Sequence, residues 1–231
     1  MAANTFQYQP LHRDIEEIRI LLVQPAWSPD AQIQCEIRHA SLFSNPQFEA
    51  LSYTWGGEQN QQLITLAGQP FPVRENLLAA LKRLRRSMTA RAVWIDAICI
   101  DQNNDEEKGF QLPLMTKLYS QAQQVCVWLG EASTLSSVGI KSFTSGWSEI
   151  GLNMSSSKLL RNYAVMDWRD GLKSSEAMQR QADLSREFQL GEVRELLSRP
   201  WWTRVWIMQE AIVARKLVFM CGGESAPWDS V

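Results

Sequence analysis

"AVWIDAICI" (92–100) is a nearly continuous apolar run, interrupted only by Asp96. A strand buried on both faces reads this way, and such strands belong to parallel sheets covered by helices on either side. Upstream, "FEALSYTWGG" (48–57) reads as a strand ending at two glycines. Downstream, "VCVWLG" (125–130) reads as a short buried strand closed by Gly130. Between them, "RENLLAALKRLRRS" (74–87) sets apolar residues at 77, 78, 81 and 84, which is helical spacing. "DEEKGFQLPLMTKLYSQA" (105–122) opens on acids that suit a helix N-terminus and places Phe110, Leu114 and Leu118 on one face. Pro113 should kink that helix or delay its start. This alternation predicts an α/β fold with a mainly parallel central sheet flanked by helices.

The flanks add to this core. "EIRILLV" (17–23) and "IQCEIRHASL" (33–42) read as strands of an N-terminal β-rich extension over 1–47. "QLITLAGQPFPV" (62–73) reads as a hairpin turning at Ala67-Gly68. Residues 131–190 read as an insertion, first rich in Ser, Gly and Thr, then polar and helical from 174 toward 199. "KLVFMCGG" (216–223) reads as the last strand of a second core segment, 191–223. The tail, 224–231, ends at "WDSV" with no finishing element, which suggests a boundary within a longer parent chain. The whole reads as one domain, 1–231, with its first core segment at 48–130.

Of 231 residues, 45% are hydrophobic and 21% charged, which suffices for a soluble domain with a sizeable core. A formal charge of −2 gives no field favouring nucleic acid or an anionic membrane. "LKRLRR" (81–86) reads as the solvated face of an amphipathic helix. The N-terminus lacks the basic and apolar regions of a signal peptide, and no run approaches the roughly 20 apolar residues of a membrane span. A cytoplasmic location is the expectation. Cys99, Cys126 and Cys221 lie in apolar runs as buried free thiols. With Cys35 they form no CxxC pair, and His12 and His39 do not complete a zinc set, so no metal is expected. "DQNNDEE" (101–107) lacks the glycine and terminal Glu of a calcium loop. Neither GxSxG nor HExxH occurs, so any acid–base chemistry rests on carboxylates.

In parallel sheets, ligands bind beyond the carboxyl ends of the strands. Residues 53–57, 99–102 and 128–130 fall there. "SYTWGG" (52–57) offers Tyr53 and Trp55 beside the Gly56-Gly57 turn, where backbone amides can approach phosphate. It equally suits a tight turn with an aromatic packed on it. "WIDAICIDQ" (94–102) offers Asp96, either a loop anchor or an arginine partner, with Asp101 and Gln102 at the strand exit. In "RPWWTRVWIMQE" (199–210), a helix over 201–214 would gather Trp201, Trp202, Val205, Trp206, Met208, Ile212 and Val213 on one apolar arc. Gln209 would lie inside the arc and Glu210 at its edge, with Arg204 on the far side of the helix from Gln209 and serving another partner. A Glu there is partly desolvated, so its pKa should tend upward unless a cation compensates. A plain core helix fits the same periodicity.

Taken together, "FEALSYTWGG", "NLLAALKRLR", "VWIDAICIDQNNDEEKGFQLPLMTKLYSQAQQVCVWLG" and "RPWWTRVWIMQEAIVARKLVFMCG" resemble the heterokaryon incompatibility (HET) domain of filamentous fungi. The resemblance covers most of 8–223 outside the insertion. It implies a role in non-self recognition and programmed cell death after fusion of unlike cells, and a distant likeness to TIR domains. Those have a flavodoxin-like sheet, and some hydrolyse NAD through a carboxylate in a Trp-x-x-x-Glu pattern. Trp206 and Glu210 have that spacing. The resemblance thus implies an NAD(P) glycohydrolase with Glu210 catalytic and Tyr53, Trp55, Gly56, Gly57, Asp96, Asp101, Gln102, Trp206 and Gln209 toward the substrate. NAD or NADP would be substrate rather than cofactor. A homo-oligomer or a partner signalling domain is the expected assembly. Two departures stand out: Asp101 replaces the family's usual Asn, and Pro113 interrupts a helix. A non-enzymatic interaction module is the competing reading. A nucleotide-phosphate hydrolase would need a metal cluster that the sequence does not supply.

Overall fold

The computed structural model describes residues 6–57, 59–133, 136, 140, 195–206 and 210–228. Strands β1 (Glu17–Val23) and β2 (Gln34–Ser41) form an antiparallel pair, registered from Glu17 opposite Ser41 to Val23 opposite Cys35. β3 (Glu49–Tyr53) is buried along its whole length. β4 (Gln61–Leu66) and β5 (Gln69–Arg74) form the expected hairpin. Its turn holds Ala67 at φ 48° and Gly68 at φ 78°, the doubly positive pair whose twist matches that of the strands it joins.

α1 (Glu75–Leu84) buries Leu77, Ala80, Leu81 and Leu84 while Lys82 stays exposed, as the amphipathic spacing predicts. β6 (Arg91–Trp94) is followed by the short helix α2 (Asp96–Cys99). The expected single strand over 92–100 therefore ends early. A short apolar run suits a buried helix as well as a buried strand, and periodicity alone does not separate them. Asp96 consequently stands at the strand's carboxyl end rather than within it. α3 (Asp105–Gln111) is capped by Asn104, whose side chain accepts from the Glu107 N–H. A 3-10 turn at Leu112–Leu114 links it to α4 (Met115–Gln121). Pro113 supplies the expected interruption, because it has no N–H to continue the α ladder.

After β7 (Val125–Trp128), the described chain resumes at 195 with one helical turn and a 3-10 turn at Pro200–Thr203. Most of the expected insertion, and the helix expected from 174 onward, lies outside the described residues. β8 (Leu217–Cys221) and β9 (Glu224–Trp228) form a closing hairpin. β9 was expected to be tail. It carries Pro227, which an edge strand tolerates because no outer neighbour needs its N–H.

The sheet order is β5-β4-β2-β1-β6-β3-β7-β8-β9. The expectation of a mainly parallel sheet does not hold: the sheet is mixed, and its longest ladders, β1/β2 and β4/β5, are antiparallel. The reason is local. β1 from the N-terminal extension joins β6 antiparallel, and a hairpin finishes each end of the sheet. The inner block β6-β3-β7-β8 runs parallel throughout, and β2 also pairs β4 in parallel. Numbered along the chain, this inner block reads 2-1-3-4, so successive connections leave β3 in opposite directions. The crevice beyond the carboxyl ends of β3 and β7 is the topological switch point.

Buried charged pairs brace the block, Glu49 at the amino end of β3 and Glu107 beyond the carboxyl end of β6. Glu49, at the start of β3, accepts from Arg91 at 2.6 and 3.1 Å and from Gln124 at 2.8 Å. Glu107 pairs with the buried Arg19 at 2.5 and 2.9 Å, tying α3 to β1. All four cysteines are buried and unpaired. Among the described residues, no helix is long and apolar enough to cross a membrane.

Candidate active site

Ser52 is buried near the carboxyl end of β3, in a strand of otherwise apolar and aromatic side chains apart from Glu49. A buried hydroxyl needs partners, and here they come from far along the chain. Its Oγ accepts from Trp201 Nε1 at 2.7 Å and donates to Glu210 Oε2. Arg204 completes the cluster. Its Nη1 lies 2.9 Å from Glu210 Oε2 and its Nη2 2.9 Å from Oε1, a two-pronged grip on the carboxylate.

The expected helix over 201–214 does not form, and the partner that Arg204 serves is Glu210. Pro200 starts a 3-10 turn that ends at Arg204, which is extended at φ −78°, ψ 134°. Further on, the Glu210 N–H donates to the Trp206 carbonyl at 3.1 Å. Aromatic packing holds the turn against β8. Trp201 meets Phe219 edge-on at 5.5 Å, and Trp202 stacks on Phe219 at 5.4 Å. Glu210, expected at the edge of an apolar arc, is 1% exposed. Trp206 and Val205, expected in the arc, are 47% and 71% exposed. Gln209 and Met208 lie outside the described residues.

A second carboxylate stands nearby. Asp96 Oδ2 accepts from Trp55 Nε1 at 2.9 Å, and Oδ1 accepts from the Ala97 N–H at 2.8 Å. Burial pushes the Asp96 carboxyl up to about 6; the Trp55 bond opposes this, and the negative charge of Glu210 adds to it. Burial also raises the Tyr53 and Tyr119 phenols well above their usual range; Asp96 adds to both, and Glu210 to Tyr119. The two carboxylates, Arg204 and the two phenols thus share one electrostatic field. Gln102 joins them, donating to the Asp96 carbonyl at 2.9 Å.

Asp101 faces elsewhere. Its N–H donates to Glu107 and its carboxylate accepts from the Asn103 N–H, beside a small cavity lined by Tyr8 and Arg19. Trp55, Gly56 and Gly57 line an open groove of about 970 Å³ together with Asn76 and other residues of α1. Arg74 lies over the Trp55 ring at 5.3 Å and donates to the Gly56 carbonyl at 2.7 Å. Asn76 donates to the Thr54 carbonyl at 2.7 Å and accepts from Trp128 Nε1 at 2.9 Å, bracing the ends of β3 and β7 across the switch point.

The site is thus an α/β domain's switch-point crevice, with one carboxylate locked by a guanidinium and another held by an indole. Residues 48–210 match the family model described as Heterokaryon incompatibility protein (HET), and the chain belongs to that family. The match runs from the residue before β3 to Glu210. The chain is also 28% identical, over an alignment of 252 residues, to "Heterokaryon incompatibility protein 6, OR allele" of Neurospora crassa. That alignment covers 96% of this chain and 36% of the relative, so the chain spans little more than a third of the relative's length. No solved structure matches the chain.

Proposed function

We propose that this chain is the effector domain of a HET-type non-self recognition and cell-death protein, and that it hydrolyses the nicotinamide–ribose bond of NAD or NADP. The observation that carries this reading is the convergence of Glu210 and Asp96 beside the ends of β3 and β6. The negative charge of Glu210 bears on the Asp96 carboxyl, and both carboxylates bear on the Tyr119 phenol. Cleavage of an N-glycosidic bond develops positive charge on the ribose, and a fixed carboxylate stabilises it. The 2-1-3-4 order of the inner block supports the likeness to flavodoxin-like TIR sheets, and the Trp206–Glu210 spacing supports the role of Glu210.

In the reaction, Asp96 orients the site and accepts a ribose hydroxyl. Tyr53 backs the crevice, Trp55 packs against a ring, and the Gly56-Gly57 turn leaves space for phosphate. Both oxygens of Glu210 are taken in the present arrangement, so the carboxylate meets a ribose only after Arg204 lets go. On this reading the clamped arrangement is the resting site.

The sealing of Glu210 also favours the second reading, a non-enzymatic module, because the neighbouring Val205, Trp206 and Ile212 present apolar surface instead. Incubation of the purified chain with NAD, with nicotinamide release followed and Glu210→Gln as control, separates the two. Release that survives the substitution unchanged removes Glu210 from the mechanism. Absence of release in every oligomeric state favours the module.

A further inference from the structure

We infer that the groove between the Gly56-Gly57 turn and α1 seats the adenosine half of the dinucleotide and selects the form whose ribose has a free 2′-hydroxyl. This inference rests on the glycohydrolase reading above. Trp55 is the shared wall: its indole N–H holds Asp96, and its ring borders the groove. A dinucleotide with its nicotinamide ribose at Asp96 must send its other half past Trp55.

The groove is built to receive that half. Its volume of about 970 Å³ falls within the range of ligand sites, roughly 300–1,000 Å³. Along α1, Glu75, Leu78, Ala79 and Lys82 line it at helical spacing. Leu78 and Ala79 are half-buried and give a flat apolar floor for a base. Opposite lies the Gly56-Gly57 turn, where a Cβ on Gly57 would meet nothing within 4 Å, so a phosphate can approach the backbone.

The charges set the selectivity. Among the described residues of the lining, Glu75 and Glu131 are exposed carboxylates against one cation, Lys82. Lys82 can meet the diphosphate. A carboxylate accepts from ribose hydroxyls, whereas a 2′-phosphate is accommodated by a nearby arginine. Among the described residues that line the groove there is none. Arg74 instead lies over Trp55 and lines a separate small cavity with Tyr53 and Gln102. A 2′-phosphate would bring nearly two further negative charges toward two carboxylates.

Titration calorimetry of the chain with NAD, NADP and ADP-ribose, alongside nicotinamide release, tests the inference. NAD and ADP-ribose should bind comparably and NADP about tenfold more weakly, the scale of one or two exposed like-charge contacts. The exposed pair Glu75→Gln with Glu131→Gln should close that gap by improving NADP. Ala79→Trp, checked for an unchanged melt, should fill the floor and weaken all three. Equal binding of NAD and NADP, full binding by a folded Ala79→Trp, or no binding of any of the three overturns the inference. Discrimination in binding without nicotinamide release leaves the groove standing and removes the glycohydrolase. Release from both dinucleotides at equal KM does the reverse.

Discussion

Arg204 holds both oxygens of Glu210 at 2.9 Å, and the two are unequally sealed: 19% of the Arg204 side chain reaches solvent against 1% of Glu210. Removing one partner of a buried pair leaves the other charge uncompensated, at a cost of about 3–5 kcal/mol. The exposure makes the cost asymmetric. Arg204→Gln strands a sealed carboxylate, whereas Glu210→Gln strands a guanidinium that can turn toward water. Urea denaturation should therefore show the larger loss for Arg204→Gln, with the double variant recovering part of it. Equal losses would mean that Glu210 hydrates once its partner is gone.

The same clamp predicts a gain. Arg204→Lys keeps the charge but replaces a fork by a point donor, so one carboxylate oxygen is freed. Nicotinamide release should rise, on the order of tenfold for a barrier lowered by ~1.4 kcal/mol. Glu210→Gln should lose about a hundredfold or more in kcat, the scale of removing one electrostatic stabiliser. A fall in release with Arg204→Lys would make Arg204 a participant rather than a lock.

Asp96 sets a pH dependence of definite sign. Its folded carboxyl titrates near 6, above the unfolded value of 3.8. The folded state then binds the proton more tightly, so the contribution to stability is fully present below pH 3.8 and is lost as pH rises through 6. Measured against Asp96→Asn, the wild type should gain about 2–3 kcal/mol as pH falls from 7 to 4. Trp55→Phe removes the hydrogen bond that favours the charged form and should move this titration upward. Glu107 has the opposite sign. Burial acts to raise its carboxyl, but Arg19 and the Asp101 N–H outweigh that and hold it below its usual range. Its contribution is present at neutral pH and is lost in acid. A pH-independent difference between wild type and Asp96→Asn would remove Asp96 as the titrating group.

Much of this arrangement was legible in the chain, but unevenly. Strand β1, the Ala67-Gly68 hairpin, α1 and the Pro113 interruption follow from local chemistry: alternation, turn dihedrals, amphipathic spacing and a missing N–H. The sheet's direction did not. It depends on where the N-terminal extension docks, and β1 beside β6 is a long-range pairing without a local signature. Asp96 and Glu210 could be picked out as polar residues in apolar runs. Ser52 carried the same signal, a lone hydroxyl in a buried strand, and went unread. Arg204 could not be found from helical geometry, because six positions along an α-helix point it away from Glu210. The extended backbone at Arg204 makes the pair.

Ser52 links the two halves of the site, and a double-mutant cycle can measure that link. Its hydroxyl accepts from Trp201 and donates to Glu210, so Ser52→Ala leaves a buried indole N–H without its acceptor. An orphaned buried donor costs about 1–3 kcal/mol, more than the net worth of the bond itself. Trp201→Phe keeps most of the aromatic contact with Phe219 and removes the N–H. In that background, Ser52→Ala should cost markedly less, with a coupling of about 0.5–3 kcal/mol for groups in one hydrogen-bond network. Additive losses would place Trp201 in the core for its packing alone and confine the site's polar frame to Ser52, Arg204 and Glu210.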